Sequence, residues 1–133
     1  MKDYLRSWAE ELLQRKPIRL RSRITVTGER NQHLGPKLEV ASVRVTVEPA
    51  ATFEVVDAVP ANEELSQFGY PDWVVFGLLD VFMVAESSPI TNVRIILEKA
   101  DPDPINSSKM AFRHAGRDAG RKIVERLKSE EGR

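Results

Sequence analysis

The period of the apolar residues changes several times along the chain, and this feature most constrains the fold. Apolar residues recur about every 3.6 positions up to Pro17, which predicts a helix over residues 1–16 with Asp3 as its cap. From Ile18 the period is two, which predicts a strand with one buried face. The full pattern predicts the element order α-β-β-β-α-β-α in a single domain of residues 1–133.

Three strands are predicted before the middle helix. Residues 31–36 contain Asn, Gly and Pro and predict a hairpin loop between the first two strands. The apolar residues of the second strand change parity between Val40 and Val43, which predicts a bulge near residues 41–42. A third strand is predicted at about residues 52–59.

The middle helix is predicted to begin at Pro71 and is apolar nearly all round over Trp73–Ala85. Such a helix needs cover on more than one side. The N-terminal helix is the favoured cover, and a second copy of the chain, forming a homodimer through Trp73–Ala85, is the alternative.

The last helix follows a fourth strand at residues 90–99. Asn106 or Ser107 is expected to cap this helix, which should run to about Lys128. Gly116 and Gly120 are expected to let it lie close to the sheet. Its predicted buried stripe comprises Phe112, Ala115, Ala119, Ile123 and Leu127.

Composition narrows the classes of function. The chain has no cysteine, its net charge is zero, and no lysine or arginine occurs from Val45 to Val93. The positive charge therefore lies in the two flanks, which permits a nucleic-acid-binding surface. The N-terminal residues are charged where a signal peptide is apolar, and the longest apolar run is shorter than the ~20 residues of a membrane span. We expect a cytoplasmic protein that binds no membrane.

Catalytic motifs are absent from the sequence. It contains no P-loop and no Gly-x-Gly-x-x-Gly motif, so no nucleotide is expected. His33 and His114 are far apart in sequence, and Asp101 and Asp103 lie too close together in a stiff loop to suggest a metal site. We expect no enzyme activity, cofactor or metal.

Two rows of basic residues could instead bind phosphates. One row projects from a face of the first strand, and the other follows i,i+4 spacing along the last helix. A solvated helix surface explains the second row equally well. The rows comprise Arg19, Arg21 and Arg23 on the strand, and Lys109, Arg113, Arg117 and Arg121 on the helix.

Four segments, in this order, resemble those of a known family: Val47–Pro49, Phe53–Asp57, Tyr70–Pro71 and Ile105–Phe112. Over residues 18–128 the chain is similar to domain IV of translation elongation factor G. The resemblance implies an α+β fold of the ribosomal protein S5 domain 2-like type. This fold has a four-stranded mixed sheet with two helices on one face and a left-handed βαβ crossover, and here the N-terminal helix is an addition.

The resemblance also implies a function in RNA binding, and the absence of a P-loop predicts that this function does not include GTPase activity. In the family, the tips of two loops contact RNA in the ribosome, and these tips map to residues 31–37 and 100–105. The first of these tips adds Asn31, Gln32, His33 and Lys37 to the expected RNA-binding residues. Asp103 stands where the family usually has a histidine. A ribosome- or RNA-associated module is therefore the first hypothesis, a protein-interaction or homodimerisation domain the second, and a small enzyme the third.

Overall fold

A computed structural model of the chain describes residues 3–7, 20, 22–35, 37–60, 68–84, 90, 92–102 and 107–131. Residues 3–7 are helical. The strands that follow are β1 (Ile24–Leu34), β2 (Lys37–Pro49), β3 (Glu54–Asp57) and β4 (Val93–Pro102), and the helices are α1 (Tyr70–Phe82) and α2 (Lys109–Glu131).

The strands form one mixed sheet in the order β1-β2-β4-β3. β1 pairs with β2 and β2 with β4 in antiparallel fashion, whereas β3 and β4 are parallel and α1 lies between them in sequence. The two helices pack against each other over one face of the sheet. The predicted α+β class and sheet composition are confirmed, and the handedness of the β3–α1–β4 crossover stays a prediction.

The core forms where the helices meet the inner face of the sheet. Alternation places Ile24 and Val26 of β1 opposite Val47 and Val45 of β2, and all four are buried. The largest fully buried side chains are Phe82, Phe112, Leu78, Ile90, Ile95 and Ile123.

The hairpin between β1 and β2 is longer than predicted. The prediction of a loop over residues 31–36 was wrong, because pairing continues to Leu34 opposite Lys37 and Gly35 turns the chain at a φ of 64°. Polar residues 31–33 lie in the strand but are exposed on both faces, so they lack the apolar alternation that marks a strand in sequence.

The predicted bulge at residues 41–42 is also wrong, since β1 and β2 pair without interruption there. Glu39 rather than an apolar residue occupies the inner face, where it is 6% exposed and bonded to Arg30. Leu38 and Val40 therefore lie on the outer face, and the parity of β2 never changes.

An irregularity does occur, but in β4. Arg44 pairs with Lys99 and Val45 pairs with Leu97, so Glu98 is the extra residue. Because of this shift, Ala100 follows Leu97 on the buried face, and Glu98 lies beside the polar side chains of the outer face.

The cap of α2 is Ser108, not Asn106 or Ser107. The Ser108 hydroxyl accepts a hydrogen bond from the Ala111 amide at 3.0 Å, while the Ser107 hydroxyl donates to the Val40 carbonyl at 2.7 Å. Asn106 lies outside the described residues. The predicted stripe from Phe112 to Leu127 is confirmed as buried.

Glycines set the contact between the two helices. Gly77 of α1 lies against the backbone of α2, and Gly116 of α2 lies against the Val74 carbonyl. The expectation that Gly116 and Gly120 approach the sheet was wrong, since both face α1. The close approach to the sheet belongs instead to Gly28 of β1, which meets the α2 backbone.

The described residues cover only one side of helix α1. Val74, Leu78 and Phe82 are buried, whereas Phe76 and Met83 are 44% and 47% exposed. In the predicted N-terminal cover, Tyr4 and Leu5 are exposed, and residues 8–16 lie outside the described part. No helix in the described part is both long and apolar enough to cross a membrane.

Candidate nucleic-acid interface

The predicted row of basic residues on α2 lies beside α1. Its two central arginines converge on one carboxylate, Asp80 of α1. Arg113 donates from Nε and Nη2 to the Asp80 oxygens at 2.7 and 2.9 Å, and Arg117 donates from Nε at 2.8 Å. These two arginines therefore join α1 to α2, a role that the sequence analysis missed. The signal in the sequence was Asp80, the one acid within the apolar run Trp73–Ala85.

The charge of this cluster is set by its geometry. The hydrogen bond from Arg113 lowers the pKa of Asp80 to about 2, with Arg117 adding to the effect and burial opposing it. The same bond raises the pKa of Arg113. One ionised carboxylate between two guanidinium groups leaves one net positive charge at the surface.

An aromatic and cationic cluster lies at the start of α2. The Lys109 Nζ and the Arg113 Cζ are each 5.9 Å from the centroid of the Trp73 ring. Phe76 meets Trp73 edge-on, with ring centroids 5.3 Å apart and an interplanar angle of 87°. We call these four residues the Trp73 patch. In the sequence, Trp73 and Phe76 are distinguished only as members of an apolar helix.

The exposed side of α2 has an excess of positive charge. The helix contains seven Lys and Arg and four Asp and Glu. Arg121 and Arg126 are exposed and form no ion pair in the part of the chain that the structure describes. Their guanidinium groups remain available to an anionic partner.

The other side of α2 covers the free edge of β1. Asp118 accepts a hydrogen bond from the Glu29 amide at 2.9 Å, and Lys122 donates to the Thr27 carbonyl at 2.7 Å. Asp118 and Lys122 also pair with each other at 3.0 Å. These contacts occupy backbone groups that could otherwise pair with another strand.

A shallow groove of about 620 Å³ lies between the edge of β1 and the second half of α2. Arg44, Lys122 and Arg126 line it together with Glu125 and three hydroxyl-bearing residues. Because Arg44 also contacts Glu98 and Lys122 contacts Asp118, the charges around the groove nearly balance.

Arg23, the described member of the predicted strand row, lies apart from the helix row. Arg23 alternates with buried Ile24 and so lies on the outer face of the sheet, opposite the helices. It pairs with Glu98 at 3.5 Å, and Arg44 pairs with the same carboxylate at 3.2 Å. Arg19 and Arg21 lie outside the described residues.

The predicted first tip is partly described. Asn31, Gln32 and His33 are exposed at the end of β1, and the Gln32 side chain accepts a hydrogen bond from Arg30. Nothing is described of the Lys37 side chain. In the second tip, Asp101 pairs with Lys99 at 3.5 Å, and residues 103–106 lie outside the description.

The two histidines lie in different surroundings. His33 is exposed on the hairpin. Burial lowers the pKa of His114, and the nearby charges of Arg30 and Arg117 lower it further, while Glu39 opposes them. The described residues contain no group of three or more His, Asp or Glu placed to hold a metal ion.

Comparison with known proteins supports the fold. No protein-family model and no curated protein matches the sequence. The chain is similar to part of a protein of Thermus thermophilus known from a crystal structure, with a TM-score of 0.71 and 16% identity. The match covers 81% of this chain but only 16% of that protein, and 61 chains of solved structures match in all. At this identity, the similarity shows a shared fold and not a shared activity.

Proposed function

We propose that the chain is a non-catalytic module that binds ribosomal or other structured RNA in the cytoplasm, as its resemblance to domain IV of elongation factor G suggests. The observation that carries the proposal is the positive exposed side of α2, where Arg121 and Arg126 form no ion pair with described residues. The chain then contributes to translation by contact and not by hydrolysis of a nucleotide.

The structure changes which residues the proposal depends on. Arg113 and Arg117 are bonded to Asp80, so their replacement would disturb the contact between the helices as well as any RNA contact. Arg121 and Arg126 are better probes, because they are exposed and their replacement breaks no described contact.

Co-sedimentation of the purified chain with ribosomes tests the proposal. We expect binding that weakens steeply as salt rises, because phosphate contacts release condensed counterions. The double variant Arg121→Gln/Arg126→Gln should bind less and show a smaller salt dependence. Arg6→Gln is the control, since Arg6 is exposed on the N-terminal helix, outside the residues of the family resemblance, and forms no ion pair with a described residue. Absence of binding at both low and physiological salt would refute the proposal.

A homodimer through α1 is the second candidate. Phe76 of α1 is 44% exposed, and Met83 and Val84, which directly follow α1, are 47% and 76% exposed. Such neighbouring water-exposed apolar side chains favour association. Sedimentation equilibrium tests this candidate. We expect twice the mass of the chain, and a return to one chain in the Met83→Lys variant. If the unmodified chain has the mass of one chain at all concentrations, the candidate is contradicted.

A further inference from the structure

We propose that the Trp73 patch binds unpaired RNA, with a base stacked on the Phe76 ring and the neighbouring phosphate held by Lys109. This inference rests on the proposed function, because it identifies where and in which form RNA would be bound. It concerns the two helices and not the loop tips, which the resemblance implicates.

The aromatic part of the patch is already arranged for stacking. Phe76 is 44% exposed although it belongs to a helix whose other face is fully buried. The Trp73 ring meets it edge-on at 5.3 Å, which restricts the position of the Phe76 ring while leaving part of it open to solvent. A nucleic-acid base stacks on such a ring in a way that tolerates any sequence.

The cationic part lies directly beside the aromatic part. Lys109 and Arg113 are each 5.9 Å from the Trp73 centroid, so positive groups and the exposed ring belong to one continuous surface. Arg113 is engaged with Asp80, but Lys109 is exposed and its ammonium forms no ion pair with a described residue. Lys109 is therefore the group best placed to contact a phosphate.

The acidic residues near the Trp73 patch indicate how a bound RNA strand would lie. Asp72 is one turn before Phe76 on the same helix face, and it would repel a phosphate placed along α1. Asp80 is neutralised by its two arginines. The backbone of a bound RNA is thus expected to run towards α2, where Lys109 lies.

Unpaired RNA should bind better than duplex RNA, because bases within a duplex are not free to stack on protein rings. The probe is a fluorescein-labelled RNA of about 12 nucleotides and mixed sequence, used as a single strand and paired with its complement. Its anisotropy is measured over a range of salt concentrations with the full chain. In a Trp8→Phe background Trp73 is the only tryptophan, so quenching of its fluorescence reports binding at the patch.

The variants separate stacking from charge. We expect Phe76→Ala to weaken single-strand binding about fivefold or more without changing the salt dependence. Lys109→Gln should weaken binding about fivefold at 0.1 M salt and lower the slope of log K against log salt by about 0.7. Met83→Ala is the matched control, because Met83 is 47% exposed just beyond the end of α1.

Three results would overturn the inference. If the chain binds RNA but Phe76→Ala binds as tightly as the unmodified chain, the site is wrong and the proposed function survives. If the chain binds neither form of this RNA but co-sediments with ribosomes, the inference fails and the proposed function survives, whereas loss of both kinds of binding refutes both. If Phe76→Ala converts a dimer to a monomer and leaves RNA binding unchanged, the patch is an interface between two copies.

Discussion

Replacing Gly77 with alanine tests the contact that holds the two helices together. A Cβ atom at this position would lie 2.1 Å from the Arg113 carbonyl oxygen and 2.8 Å from the Arg117 amide nitrogen. Both are backbone atoms in the first half of α2, so neither can move without moving the helix. Real Cβ contacts rarely fall below 3.0 Å. To reach even that distance, the two helices would have to separate locally by 0.9 Å, the difference between 3.0 and 2.1 Å.

The expected cost follows from that separation. A gap of about 0.5–1 Å forfeits a quarter to a half of the dispersion energy of each affected contact, and overpacking of this kind costs about 1–3 kcal/mol. The bonds from Arg113 and Arg117 to Asp80 span the same interface and would be stretched as well. Alanine gains about 1 kcal/mol over glycine in helix propensity, which offsets part of the loss. We expect a net loss of about 1–2 kcal/mol in the free energy of unfolding.

Urea unfolding followed by circular dichroism measures this change as a lower midpoint with an unchanged slope. Gly120→Ala is the matched control. The three heavy atoms nearest to a Cβ there all belong to the Val81 side chain, at 3.0 Å or more, so the crowding is milder than at Gly77 and the nearest atoms are not backbone. Its effect should stay within about 1 kcal/mol, since the gain in propensity and the crowding nearly cancel. If Gly77→Ala is as stable as the Gly120→Ala variant, the helices do not cross at Gly77 and the reasoning is wrong.

Three further predictions concern charged groups. Because the folded-state pKa of Asp80 is about 2 against an ordinary 3.8, its contribution should be complete above the ordinary value and lost as the pH falls towards 2. Asp80→Asn should therefore destabilise the chain by about 1–2 kcal/mol at neutral pH. Urea unfolding should show that this difference shrinks below about pH 4, and a difference that stays constant with pH contradicts the prediction. Arg30→Met should lower the free energy of unfolding by about 2–3 kcal/mol, because it leaves the buried Glu39 carboxylate unpaired. In a double-mutant cycle, adding Glu39→Gln should recover part of that loss, and strictly additive effects would rule out the coupling. Replacing both Asp118 and Lys122 with alanine frees the Glu29 amide and the Thr27 carbonyl on the edge of β1. Static light scattering should then show greater association of the chains, and unchanged scattering would mean that these two side chains are not needed to protect the strand edge.

The periodicity of apolar residues predicted the elements that have one solvent-exposed face and one buried face. The buried stripe of α2 and the inner residues of β1 follow from patterns of 3.6 and two residues, because each side chain's direction is set by the local backbone. The same reasoning failed at the hairpin, where residues 31–33 pair in a strand with neither face buried. It failed again in β2, where buried Glu39 occupies a position that the pattern assigns to an apolar side chain.

The candidate site was only partly predictable. The helix row was visible from its i,i+4 spacing, but the partners of its members were not. Asp80 and Arg113 are separated by 33 positions in sequence, and the two meet only because α1 crosses α2 at Gly77. The Trp73 patch depends on the same crossing, which brings Lys109 over a ring on the other helix.

The amino-acid sequence by itself determined the α+β class, the order of the elements and the excess of positive charge on the last helix. These properties depend on local backbone preferences, on solvation and on composition, all of which act residue by residue. Only the tertiary structure decided which basic groups are neutralised, which remain available and which aromatic ring stays exposed. The physical reason is that an ion pair or a ring contact needs two groups within a few ångströms, and that distance is set by how the helices and strands pack and not by their spacing in the chain.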